Sequence, residues 1–248
     1  MPSTGELSAV LDLKPRLRLG AAWAVHVFTA SGVVIGLLAL LAVVAGDARA
    51  ALLWLGLALF VDGIDGPAAR KFGVREVIPR FDGATLDNVV DYFTYVVVPA
   101  VFMVQFELLP GPLAVLGAAY ILATSLYTFA NLDLKTSDNY FVGFPAVWTS
   151  VAFYMVVLET PQIANLIATA IFGILTFTPL KFIHPLRVRE LRIPTLAATA
   201  AWALSSLWLV AKMPTAASWA LAVWIASSVY LGLVSLRRTL RGAPSGAP

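Results

Sequence analysis

Apolar and polar positions in this chain are sorted in blocks. Eight apolar stretches stand out, at about 21–45, 50–69, 84–105, 112–131, 142–158, 162–181, 194–211 and 216–236. A membrane-crossing helix needs about 20 mostly apolar residues, because the hydrocarbon core is about 30 Å thick and offers the backbone no other hydrogen-bond partners. The pattern therefore predicts an all-α fold, a polytopic transmembrane helical bundle of eight spans. The stretch 142–158 is short and is expected to tilt or to start deeper. No long soluble domain, repeat or low-complexity segment intervenes.

Composition narrows the picture further. The chain has 248 residues, 60% of them hydrophobic and 12% charged, where a soluble domain carries about a quarter charged residues. The absence of cysteine excludes disulfides, thiolate catalysis and cysteine-ligated metals. Two histidines, His26 and His184, are too few for a histidine-based metal site. The pI near 9.3 reports topology and contact with anionic lipid rather than nucleic-acid binding.

Residues 1–20 are polar and basic, and Ala48-Arg49-Ala50 loosely resembles a leader cleavage site. The apolar run between them is far longer than a signal-peptide core, so it reads as a retained span. Of the 17 Lys and Arg residues, all but Arg49 and Lys212 fall at the termini or in the loops after spans 2, 4 and 6. Basic residues mark the cytoplasmic side, so both termini are expected there. Residues 1–20 form a cytoplasmic segment, either an amphipathic interfacial helix or a basic tail that sets orientation. Residues 21–236 form the membrane-embedded domain. Residues 237–248 are a tail whose Gly, Pro, Ala and Ser after Arg241 point to disorder.

Against this apolar background, four aspartates are conspicuous. Asp62 and Asp65 lie three apart near the end of span 2, and Asp87 and Asp91 lie four apart near the start of span 3. Each pair shares one helix face, and both pairs fall at the cytoplasmic boundary. An isolated carboxylate within the membrane costs about 2.5–3.5 kcal/mol on insertion scales, and four together repel one another. Divalent cations relieve both costs, and an all-oxygen donor set suits magnesium or manganese. Four carboxylates are enough for two such ions at the spacing used in phosphoryl chemistry. Gly66 and Ala69 keep the same face small, and Arg70 offers a planar fork to phosphate oxygens. The alternative is four boundary acids facing the cytosol, with Arg70 an ordinary orientation signal.

The array Asp62-x-x-Asp65-Gly66-x-x-Ala69-Arg70, followed by Gly83-x-x-x-Asp87-x-x-x-Asp91, resembles the signature of the CDP-alcohol phosphotransferases. Twelve residues separate Arg70 from Gly83, a longer gap than most members carry. That gap, with the stretches at 131–148 and 182–192, is similar to bacterial members that join CDP-diacylglycerol directly to choline. The resemblance implies a multi-pass enzyme of the bacterial inner membrane, its site facing the cytoplasm. It implies two divalent cations, manganese or magnesium, held by Asp62, Asp65, Asp87 and Asp91. Asp91 would also take the proton of the incoming alcohol. Asp62, Gly66, Ala69, Arg70 and Gly83 would contact the CDP group. The substrates would be CDP-diacylglycerol and choline among membrane lipids, and a homodimer is a further implication.

Choline's quaternary ammonium favours aromatic faces. Candidates are Tyr92, Tyr140, Phe141 and Phe144, with Asn131 as a polar partner, although aromatic residues also belt membrane boundaries without any ligand. Lys181, Arg187 and Arg189 form a candidate clamp for lipid phosphate, and the same charges satisfy the positive-inside rule. Two other readings stand beside this one. A sibling enzyme would use serine, inositol or glycerol phosphate. A cation or proton transporter would spread its acids through the bilayer depth, whereas these cluster at one boundary.

Overall fold

The computed structural model describes the backbone of residues 4–131, 136, 139–188, 191–215 and 217–241, and side chains from Pro15 onward within those ranges. The expected tail after Arg241 and the candidate Arg189 lie outside the described residues. Helix α1 (Thr4–Val44) continues through Pro15, and α2 (Ala48–Lys71) returns alongside it. Asp47 caps α2 by accepting the Ala50 N–H. A short helix α3 (Val74–Val77) leads to α4 (Gly83–Asp91), a π-helical turn (Tyr92–Val97) and α5 (Val98–Gln105), which together form one span. Then follow α6 (Gly111–Ala130), β1 (Phe141–Val142), α7 (Trp148–Val157), α8 (Gln162–Leu175), β2 (Lys181–Phe182), α9 (Arg192–Lys212) and α10 (Ser218–Arg241).

Six of these helical segments are long and apolar enough to cross a membrane: Pro15–Val44, Ala48–Lys71, Gly83–Gln105, Gly111–Ala130, Arg192–Lys212 and Ser218–Arg241. The other two expected spans are the shorter apolar helices α7 and α8, of 10 and 14 residues. At 1.5 Å per residue they rise about 15 and 21 Å, less than the roughly 30 Å of hydrocarbon. The distribution of basic residues does not separate six spans from eight. No Lys or Arg lies between Lys135 and Lys181, so removing α7 and α8 as a pair leaves every basic loop on the same side.

Close helix contact follows from small residues, as is usual where lipid supplies no hydrophobic drive. Gly32 and Gly36 of α1 sit one turn apart. A Cβ at Gly32 would lie 2.6 Å from Val90, and one at Gly36 2.8 Å from Phe93. These contacts draw α4 and the π turn onto α1. The π turn itself follows from Pro99. Proline lacks an N–H and clashes with the carbonyl four residues back. The Val98 N–H accordingly bonds Phe93 O, five residues back, and the Thr149 hydroxyl of α7 donates to the Thr94 carbonyl at 2.8 Å.

The largest buried side chains include Phe102 of α5, Trp148 of α7 and Trp224 of α10, all in one apolar cluster. Trp148 donates its indole N–H to Ser125 at 2.8 Å. At one end of the bundle β1 and β2 pair antiparallel, with Phe141 opposite Phe182 and Val142 opposite Lys181. Gly143 leaves this pair at φ +78°, where a Cβ would lie 2.3 Å from Thr176 O. Only glycine fits that approach.

Candidate active site

Two helix termini assemble the acid face. The end of α2 carries Asp62 and Asp65, and α4 carries Asp87 and Asp91. Asp82 starts α4 one turn before the second pair. It accepts the N–H groups of Ala84 and Thr85, and its other oxygen takes the Thr85 hydroxyl at 2.7 Å. These bonds, the Thr85 hydroxyl foremost, hold the Asp82 carboxyl below the ordinary carboxylate range.

Oxygens of Asp62, Asp87 and Asp91 all lie within 4.8 Å of one another, each side chain half-buried. Three like charges so close repel strongly in a medium of reduced dielectric. An all-oxygen donor set at this spacing fits a hard divalent cation, so these residues can hold the metal the sequence implies. Asp65 sits beside the trio. It is buried, accepts the Thr29 side chain of α1 and the Gly66 N–H, and lies in the field of Asp62 and Arg187.

Along α2, Ala69 packs against the buried cluster of Ala22, Val25, Val74 and Ile78, while Gly66 faces two arginines. A Cβ at Gly66 would lie 3.3 Å from an Arg187 nitrogen and 3.5 Å from an Arg70 nitrogen. Two guanidinium groups, one local and one from 121 residues downstream, therefore flank one glycine beside the acids. Leu186 packs against Gly63 of the same helix. Gly83 meets α1, with a would-be Cβ 2.9 Å from His26.

Further contacts at this face join residues far apart in the chain. The Tyr95 hydroxyl donates to Asp62 Oδ2 at 2.8 Å. His26 is buried, its ring 4.5 Å from Phe81 and 5.8 Å from Trp23. Its Nε2 has no hydrogen-bond partner among the described residues, while Trp23 and Phe81 are exposed. The one sequence signal for Tyr95 was Pro99, four residues on; nothing in the sequence pairs His26 with Gly83.

The acceptor candidates are placed differently. Tyr92 donates its hydroxyl to Leu122 O at 3.1 Å and meets Phe129 edge-on. Asn131 closes the C-terminus of α6. Tyr140 is buried with the Arg238 guanidinium 5.6 Å above its ring. Phe141 stacks on His184. Phe144 is buried against Trp148, Phe172 and Phe182. Lys181 lies in β2, where its backbone N–H bonds Thr239 of α10. Of the described members of the candidate phosphate clamp, Arg187 is the one found at Gly66.

Residues 23–180 match the family model described as CDP-alcohol phosphatidyltransferase. The chain belongs to this family. It is 46% identical to a phosphatidylcholine synthase of Pseudomonas aeruginosa, over 89% of this chain and 92% of that protein. It is 44% identical to the phosphatidylcholine synthase of Bradyrhizobium diazoefficiens over 88% and 84% of the two chains. The corresponding protein of Borreliella burgdorferi is 40% identical over 74% and 78%. Asp62, Asp87, Asp91 and Arg70 lie within the matched residues, and Arg187 lies beyond them.

Proposed function

We propose that the protein acts as a phosphatidylcholine synthase, moving the phosphatidyl group of CDP-diacylglycerol onto choline and releasing CMP. The observation that carries this reading is the trio Asp62, Asp87 and Asp91 beside a glycine flanked by Arg70 and Arg187, in a chain similar over most of its length to proteins of that name.

Arg70 and Arg187 bind the pyrophosphate oxygens, the planar forks matching the oxygen geometry. Gly66 leaves the helix open to the nucleotide, and the small Ala69 adjoins it. The cytosine lies near Gly83, against the exposed rings of Trp23 and Phe81, within reach of the unpartnered His26 nitrogen. Asp91 accepts the choline hydroxyl proton as the oxygen bonds to the β-phosphorus, and the bond from that phosphorus to the CMP oxygen breaks. Two divalent cations, magnesium or manganese, on Asp62, Asp65, Asp87 and Asp91 would neutralise the diphosphate and the leaving phosphate. Tyr92, next to Asp91, offers the ammonium an aromatic face, with Asn131 as a polar partner. The charge asymmetry of the loops supports both termini, and the acid face, on the cytoplasmic side.

Purified protein in detergent, given CDP-diacylglycerol and manganese, should release CMP with choline and not with serine, inositol or glycerol phosphate. Release with one of the other alcohols alone would assign it to a sibling reaction. Activity without a membrane gradient would exclude the transporter reading.

A further inference from the structure

We infer that Tyr95 is a positioning residue, aiming the Asp62 carboxylate at the cation, and that the π turn exists to put it there. The inference rests on the proposed cation site, and it concerns a residue outside the family signature.

In a continuous α-helix, residue 95 stands about 40° past residue 91 around the axis, since four residues turn 400°. Asp87, Asp91 and Tyr95 would then spiral away from one another. The turn Tyr92–Val97 is wider, with Val98 bonded five residues back. Its extra residue swings Tyr95 back over the Asp87–Asp91 face, and the hydroxyl reaches Asp62 Oδ2 across the helix interface at 2.8 Å. Such wide turns recur at functional sites because they re-aim side chains. Here the cause is in the chain: Pro99 prevents regular bonding, and Thr149 satisfies the Thr94 carbonyl.

The Tyr95 ring is buried, so its hydroxyl serves as a fixed donor to Asp62. Its bond to Oδ2 fixes the rotamer of a carboxylate that stands in the acid trio. Partners of this kind commonly change metal affinity about 10–100-fold when removed.

The test uses full-length protein in detergent, stripped of metal, with free manganese followed by electron paramagnetic resonance. Tyr95→Phe keeps the ring and removes the hydroxyl. Manganese binding should weaken about tenfold, with an unchanged melting temperature in the metal-free state. Pro99→Ala keeps the hydroxyl but removes the cause of the wide turn, and it should weaken manganese binding as well. It carries the test if Tyr95→Phe does not fold. Wild-type affinity in both variants overturns the inference. The titration needs neither choline nor CDP-diacylglycerol. A wild type that binds manganese but makes no phosphatidylcholine would refute the proposed reaction alone, whereas one that binds none overturns the cation site and this inference together.

Discussion

The acid face of α2 and α4 and the aromatic cap around β1 and β2 touch at Leu186 and Arg187, yet they are built on opposite terms. On the acid face, like charges are gathered within 4.8 Å, an arrangement with no packing benefit and a large electrostatic cost. In the cap, each feature has a packing reason. Phe144 fills a nest of rings, Tyr140 lies under Arg238, and Gly143 admits Thr176 O at a distance no side chain allows. A region whose parts are stabilised by one another has a structural explanation complete in itself. One whose parts oppose one another needs a ligand. The contrast also bears on the acceptor rings: Tyr140 already faces a cation, whereas Tyr92 sits beside Asp91.

The comparison makes separable claims. Asp91→Asn should lower turnover by about 10²–10⁴-fold, the range for a lost general base, while CDP-diacylglycerol binding persists; near-normal CMP release would remove Asp91 from that role. Phe144→Ala should act on the fold. A buried Phe replaced by Ala costs about 3–5 kcal/mol, so the melting temperature in detergent should drop sharply and the choline KM of the surviving enzyme should hold. A several-fold rise in that KM with the melting temperature intact would instead make the cap an acceptor site. Arg187→Ala crosses the boundary between the regions. Loss of a charge-assisted bond of about 1.5–3 kcal/mol should raise the KM for CDP-diacylglycerol about tenfold to a hundredfold. An unchanged KM would return Arg187 to topology alone. The smallest effect belongs to Asp82→Ala, a modest loss of thermal stability from uncapping α4, with chemistry unaffected. The native carboxyl is depressed by its bond to Thr85. Its contribution is therefore complete above the unfolded carboxylate value and is lost as pH falls through the lower folded value. A melting profile identical in wild type and variant across that acidic window would show the cap to be idle.

Much of this was legible in the chain before any coordinates. Apolar block length specifies helices that cross a membrane, because lipid leaves the backbone no alternative. Charge spacing on two such helices specifies which faces carry the acids, because helical periodicity is local. The signature from Asp62 to Asp91 identified the family for the same reason: all eight positions lie within 30 residues. Helix length was less legible, since apolar content cannot distinguish the short buried helix α7 from a full span. Tertiary structure alone decided which groups meet across those helices. Thr29 found Asp65, Tyr95 found Asp62, and Arg187 crossed from 121 residues away to Gly66. Such contacts depend on how helices pack, through Gly32, Gly36 and the turn before Pro99. A pattern read along one helix carries no information about the direction from which another side chain will arrive.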